Sequence, residues 1–233
     1  LGALSVTHSE NIRLPFIGEI GSFVTFSPYP RDISQVENCL QHCSMLFKHS
    51  QRAGEPIAGL LVEPIQGVSG VWGPFPEFLD GLRKLADNYG CLLIVDEIWS
   101  GLGRSGKKFS FQYSDITPDL IVIGKGLSAS LPLSAVIARE DLLKKWKAGA
   151  HTSTFQGNPL ACAAATATLK EIEECGLIDH VTNVLEPCFF KLALSLKDNK
   201  NIGEIRFVGA QCAITMENSD IASDIQRLSL IHI

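Results

Sequence analysis

Two charged residues stand where a buried strand is expected to end. Leu92 to Asp96 reads LLIVD, an apolar run closing in Asp96-Glu97, and Leu120 to Lys125 reads LIVIGK, an apolar run closing in Gly124-Lys125-Gly126. In open α/β sheets, ligands sit in the crevice outside the carboxyl ends of the strands. A carboxylate and an amine delivered to that edge are the parts needed for chemistry on a pyridoxal phosphate ring. The amine forms a Schiff base with the aldehyde, and the acid pairs with the ring nitrogen. A carboxylate about 4 Å from a pyridinium nitrogen contributes up to roughly 4 kcal/mol at an effective dielectric near 20. A lysine alone is far more often a solvated surface residue, and two acids after a strand can simply cap a turn. Against that reading, Lys125 follows its strand directly, and the strand end is expected to desolvate it. The glycines on both sides are expected to let the backbone turn sharply and a flat ligand approach.

A second motif competes. Gly101-Leu102-Gly103-Arg104-Ser105-Gly106 matches GxGxxG after a strand, with Asp119 some way downstream, which is the pattern of a dinucleotide-binding module. Asp96 to Ser100 separate these glycines from the strand, no amphipathic helix follows Gly106, and Asp96-Glu97 would repel a pyrophosphate. Ser153-Thr154 precede an Ala-rich helix, and their hydroxyls suit either a phosphate or an ordinary N-cap. Cys39, His42 and Cys43 lack a second half-site, so core packing is favoured over a metal.

The elements that must position these residues follow from periodicity. Asp32 is the expected N-cap of a helix to about His49, with Gln35 in the capping-box position. Ile57 to Val62 reads as a strand, Pro76 to Tyr89 as an amphipathic helix closed by Gly90, and Cys91 to Val95 as the next strand, together a parallel βαβ unit. Leu120 to Ile123 and Ser134 to Ala138 add strands. Helices are expected over Pro159 to Glu174 and Asp179 to Lys197, and one or two strands over Glu204 to Met216. Residues 1–31 read as loops with a short strand at Phe23 to Phe26. The result is an α/β fold with a mostly parallel sheet. Residues 1–200 form a large domain, 201–227 begin a smaller one, and 228–233 (LSLIHI) are a non-native tail.

Composition narrows the function. Of 233 residues, 45% are hydrophobic and 19% charged, which supports a sizeable core, and the net charge of −5 argues against a nucleic-acid surface. The seven cysteines are odd in number and scattered, as expected of reduced, buried thiols in a cytoplasmic protein. No apolar run reaches the length of a membrane span.

Taken in order, Val62 to Gly67 (VEPIQG), Val95 to Ile98 (VDEI), Gly101 to Gly106, Pro118-Asp119, Gly124-Lys125-Gly126, Pro132 to Ala135 and Ser153 to Ala161 resemble the class III pyridoxal-phosphate aminotransferases. The resemblance implies a fold-type I enzyme, a homodimer with its sites at the subunit interface. Lys125 would be the lysine bonded to the cofactor and Asp96 the partner of the ring nitrogen. Ile98 would pack on a ring face and Gln66 would line the site. Thr154, with Ser153 beside it, would reach the cofactor phosphate of the partner subunit. The reaction would be ping-pong, from an amino acid or ω-amine donor to an α-keto acid, with an aminomutase of the same fold as the alternative. Three positions depart from the family pattern: Val68 replaces a common acid, Trp99 a common Gln, and Ala129-Ser130 a common Gly-Gly. The chain opens without a Met, and the family's upstream phosphate loop and downstream substrate arginine find no match. It therefore reads as an internal fragment, inactive alone.

Overall fold

The computed structural model describes residues 1–231, with side chains to Arg227. Its centre is a four-stranded sheet in the order β1 (Gly59–Val62), β2 (Leu92–Asp96), β3 (Leu120–Ile123) and β4 (Ala135–Ala138). β1 pairs parallel with β2, Val62 beside Val95, and β2 parallel with β3, Asp96 beside Val122. β4 returns antiparallel along β3. The mostly parallel α/β reading holds.

The βαβ unit forms because the helix Pro76–Tyr89 has one apolar face. Pro76 occupies its first turn and Gly90 ends it in the left-handed conformation at φ 66°. Phe78, Leu79, Leu82 and Ala86 are buried with Val62, Leu93 and Val95 and with Val36, Cys39, Cys43 and Phe47 of the helix Val36–Arg52. Each large side chain so buried contributes about 1.5–3 kcal/mol. Cys39 and Cys43 are thus core residues, and Ser27 Oγ lies 3.0 Å from Cys43 Sγ and 3.2 Å from His42 Nδ1.

The helix Pro159–Glu174 has the expected bounds. The next stretch is continuous but not uniform: Leu177–His180, a π-helical turn Val181–Leu185, then Glu186–Leu196. Pro187 follows the π turn, and its missing N–H removes the bond a regular helix would make there. β5 (Ile202–Val208) and β6 (Gln211–Met216) form a separate antiparallel hairpin. Arg206 ties this hairpin to the loop after β1: its Nε donates to Gly70 O at 2.7 Å, and its guanidinium lies 3.7 Å from the Trp72 ring centroid.

Some expectations fail. Residues 1–31 hold short helical turns, Gly2–Val6, Glu10–Arg13 and Leu14–Phe16, and Phe23 to Phe26 is not a strand and pairs with no strand among the described residues. Gln35 Oε1 accepts from Arg31 N, one residue before the expected cap, and Asp32 accepts from Ser34 N. Of the cysteines, Cys39, Cys43 and Cys91 are buried, but Cys162, Cys175 and Cys188 are exposed; all seven are free. The final helix, Ser219–Ile231, runs into the expected non-native tail. The side chains of 228–231 and the whole of 232 and 233 lie outside the described residues. No helix among the described residues is long and apolar enough to cross a membrane.

Candidate active site

The carboxyl ends of β1, β2 and β3 meet at one edge. β2 ends in Asp96, whose Oδ1 accepts from Ile98 N at 2.9 Å, so the chain turns sharply behind it. Glu97 N donates to Val122 O at 2.9 Å and locks β2 to β3 there. Lys125 lies three residues past Val122, the partner of Asp96. At about 4.8 Å between strands and 3.3 Å per residue, the two backbones are on the order of 10 Å apart.

The turn at Lys125 differs from expectation. Gly124 is extended, at φ −172°, and Gly126 meets open space. The left-handed conformation falls on Lys125 itself, at φ 42°. Period-two alternation would carry residue 125 to the face away from Asp96, and this backbone ends the alternation at Lys125. Non-glycine residues held so cost on the order of 1–3 kcal/mol and cluster at functional sites. Lys125 is also exposed, contrary to the expected desolvation, although Ile123 and Gly124 before it and Leu127 after it are buried. Lys125 Nζ makes no hydrogen bond or ion pair among the described residues, and the Asp96 side chain makes only its bond to Ile98.

Glu63, just past β1, was not anticipated as a site residue. Its carboxyl group is half-buried, accepts weakly from Gly67 N at 3.4 Å, and feels the charges of both Asp96 and Lys125. Burial and the Asp96 charge push it above the usual carboxylate range, against the pull of Gly67 N and Lys125. The one sequence signal was its place at a strand end before Pro64.

The other expected residues are placed as follows. Ile98 packs on Gly124, with its Cγ2 3.5 Å from where a Cβ would stand. Gln66 is half-buried, and its backbone is clamped to Trp72 by bonds of 2.9 and 3.1 Å. The Trp99 ring lies across Gly67, where a Cβ would come within 1.8 Å of it. Ile98, Trp99, Gly124, Lys125, Ile172 and Leu177 line part of a cavity of about 240 Å³. Ser153 and Thr154 are exposed in a turn closed by Gln156 N on Ser153 O. The capping role belongs to Asn158, which accepts from Leu160 N and Ala161 N. The chain itself does not bring them to Lys125.

The dinucleotide motif is structural. Glu97 Oε2 accepts from Ser100 at 2.8 Å and Ser110 at 2.6 Å, and Oε1 from Phe111 N at 2.8 Å, which staples the glycine loop from beneath. Ala210 N donates to Arg104 O at 2.7 Å. Asp119 lies at the opposite sheet edge, holding Leu93 N at 2.8 Å and Arg83 at 2.7 Å. A larger cavity of about 440 Å³ surrounds that edge, but its Arg83, Asp119 and Arg139 pair with one another.

The family model described as aminotransferase class-III matches residues 1–230. The chain belongs to that family. Among curated relatives of these aminotransferases, it is 40% identical over 174 residues to the acetylornithine aminotransferase of Methanopyrus kandleri, covering 75% of this chain and 41% of that protein. It is 35% identical to the acetylornithine aminotransferase of Archaeoglobus fulgidus, over 87% of this chain and 50% of that one. Among solved structures, the ornithine aminotransferase of Toxoplasma gondii superposes with a TM-score of 0.73 at 32% identity, covering 94% of this chain and 48% of that one. A Bacillus anthracis aminotransferase superposes at 0.76 with 26% identity, over 87% and 52%. The class III aminotransferase chain therefore spans about half the length of the relatives it matches. Its fold is that of the fold-type I aminotransferases.

Proposed function

We propose that the protein carrying this chain is a pyridoxal-phosphate-dependent transaminase, moving an amino group from an amino acid or ω-amine donor to an α-keto acid by a ping-pong cycle. The supporting observation is that Asp96 and Lys125 end neighbouring parallel strands with spare hydrogen-bonding capacity on both. The donor set fits the cofactor: an amine without a partner, a carboxylate with one oxygen to spare, and a floor of Ile98 against Gly124.

When bound, pyridoxal phosphate supplies an aldehyde that takes up the donor's amine and a ring that accepts electron density from the donor's Cα. The protein's part is to hold and to move protons. Asp96 keeps the ring nitrogen protonated through its charge. Lys125 holds the cofactor, then, once released, carries the proton between the donor's Cα and the C4′ position. Ile98 packs on one ring face, and Gln66 lines the site from its clamped loop. Ser153 and Thr154 donate to the phosphate held in the second subunit of a homodimer. The exposed Phe155 and Leu160 beside them support that pairing, at 81% and 74% accessible. Residues 201–227 begin the second domain, and the unpaired cysteines support a cytoplasmic setting.

The test is single-turnover amino transfer in the full-length protein, using a panel of amino donors. The wild type is expected to convert bound cofactor to its amine form, and Lys125→Ala, folded and loaded with cofactor, to leave it unchanged. Conversion by Lys125→Ala at the wild-type rate would remove that lysine from the reaction.

A further inference from the structure

The strand register makes Glu63 more than a terminator. Val62 pairs with Val95 in parallel, Glu63 and Asp96 are the next residue on each chain, and the Asp96 charge acts on the Glu63 carboxyl group. Gly67 N fixes one oxygen of Glu63, and the loop that carries Gly67 also carries Gln66. We propose that Glu63 is a positioning residue of this active site, acting through Asp96: its carboxyl group, seated beside that of Asp96, sets how much negative charge the strand edge presents to the cofactor's ring nitrogen. This rests on the function proposed above.

The physical reasoning concerns two neighbouring acids. Two carboxylates sharing one edge do not ionise independently; the first charge raises the cost of the second. Asp96 has Ile98 N to stabilise its charge at 2.9 Å. Glu63 has the longer bond of 3.4 Å, and burial together with the Asp96 charge holds its carboxyl above the usual carboxylate range. With Glu63 neutral, one negative charge faces the ring; with Glu63 ionised, two do, and the ring nitrogen binds its proton more tightly. The other groups facing Glu63 are Lys125, whose charge opposes this, and Tyr29. Tyr29 donates to Pro64 O at 3.0 Å, and burial pushes its phenol up, so it stays neutral throughout.

The experiment is a pH titration of the absorption spectrum of the cofactor bound to the full-length protein. Wild type, Glu63→Gln and Glu63→Asp are compared, each checked for folding by circular dichroism. Glutamine keeps the shape and an acceptor for Gly67 N but carries no proton to lose. The wild type is expected to show a spectral transition above the usual carboxylate range. Glu63→Gln is expected to lose that transition, and Glu63→Asp to restore it at a shifted midpoint. Identical titrations for wild type and Glu63→Gln overturn this inference and leave the proposed function standing. A folded wild type that takes up no pyridoxal phosphate overturns both.

Discussion

Asp96 and Glu97 are joined by one peptide bond and meet opposite fates. Strand alternation sends them to opposite sides of the sheet. Glu97 is 1% exposed, and two serine hydroxyls and a backbone N–H converge on it. Asp96 is half-buried, keeps one turn bond, and faces an edge with a second acid and an amine. Glu97 is saturated and builds the loop; Asp96 has capacity left over. A polar group's share of satisfied bonds, more than its burial, separates structure from site here.

The sharpest break of this comparison is at the reactive edge. Lys125→Ala is expected to abolish amino transfer with unfolding by urea unchanged or slightly improved, since the left-handed backbone at φ 42° suits alanine no better than lysine. Asp96→Asn keeps the shape but loses the charge. Transfer is expected to slow by up to about a thousandfold, the equivalent of roughly 4 kcal/mol, in single-turnover rates. On the saturated side the effects should fall on stability instead. Glu97→Ala removes the acceptor shared by Ser100, Ser110 and Phe111 N, leaving Ser110 only its 2.8 Å bond to Ser100 Oγ, and should cost about 3 kcal/mol in urea unfolding. Glu97→Gln should cost far less.

Asp119 offers a smaller, pH-dependent check. Burial works against its charge, but bonds from Arg83 and Leu93 N, with the charges of Arg83 and Arg139, prevail and hold its carboxyl below the usual range. A depressed folded value means stability that is present above the unfolded value and lost as pH falls through the folded one. Asp119→Asn should therefore cost about 1–2 kcal/mol at neutral pH. The gap to wild type should close as pH falls below about 4. The smallest effect concerns Ala129, at φ 57° where the family commonly has glycine. Ala129→Gly should stabilise by about 1 kcal/mol, relief of backbone strain outweighing the entropy glycine adds to the unfolded chain.

Most of the fold could be read in the residues because its local signals agree. Pro76 and Gly90 bracket one helix, and Pro159 opens another, expected to run to about Glu174 and ending there. Apolar runs closing in Asp96 and Gly124 marked the strand ends. What escaped depends on contacts that sequence spacing does not encode. Phe23 to Phe26 has strand composition but no neighbour to pair with. The left-handed turn fell on Lys125 instead of its flanking glycines, for which a lysine gives no propensity signal. Glu63 looked like a strand terminator until the fold brought it within reach of the Asp96 charge. Ser153 and Thr154 suited a cap or a phosphate equally by residue type, and the cap is Asn158.

The central claim is that Lys125, opposite Asp96, is the residue that bonds to the cofactor. The most direct measurement is chemical trapping: full-length protein loaded with pyridoxal phosphate, reduced with borohydride, digested and read by mass spectrometry. The account predicts the added phosphopyridoxyl mass on the peptide containing Lys125, with no such label in Lys125→Ala. A stable label on a different lysine, or none on a folded and loaded protein, would contradict it.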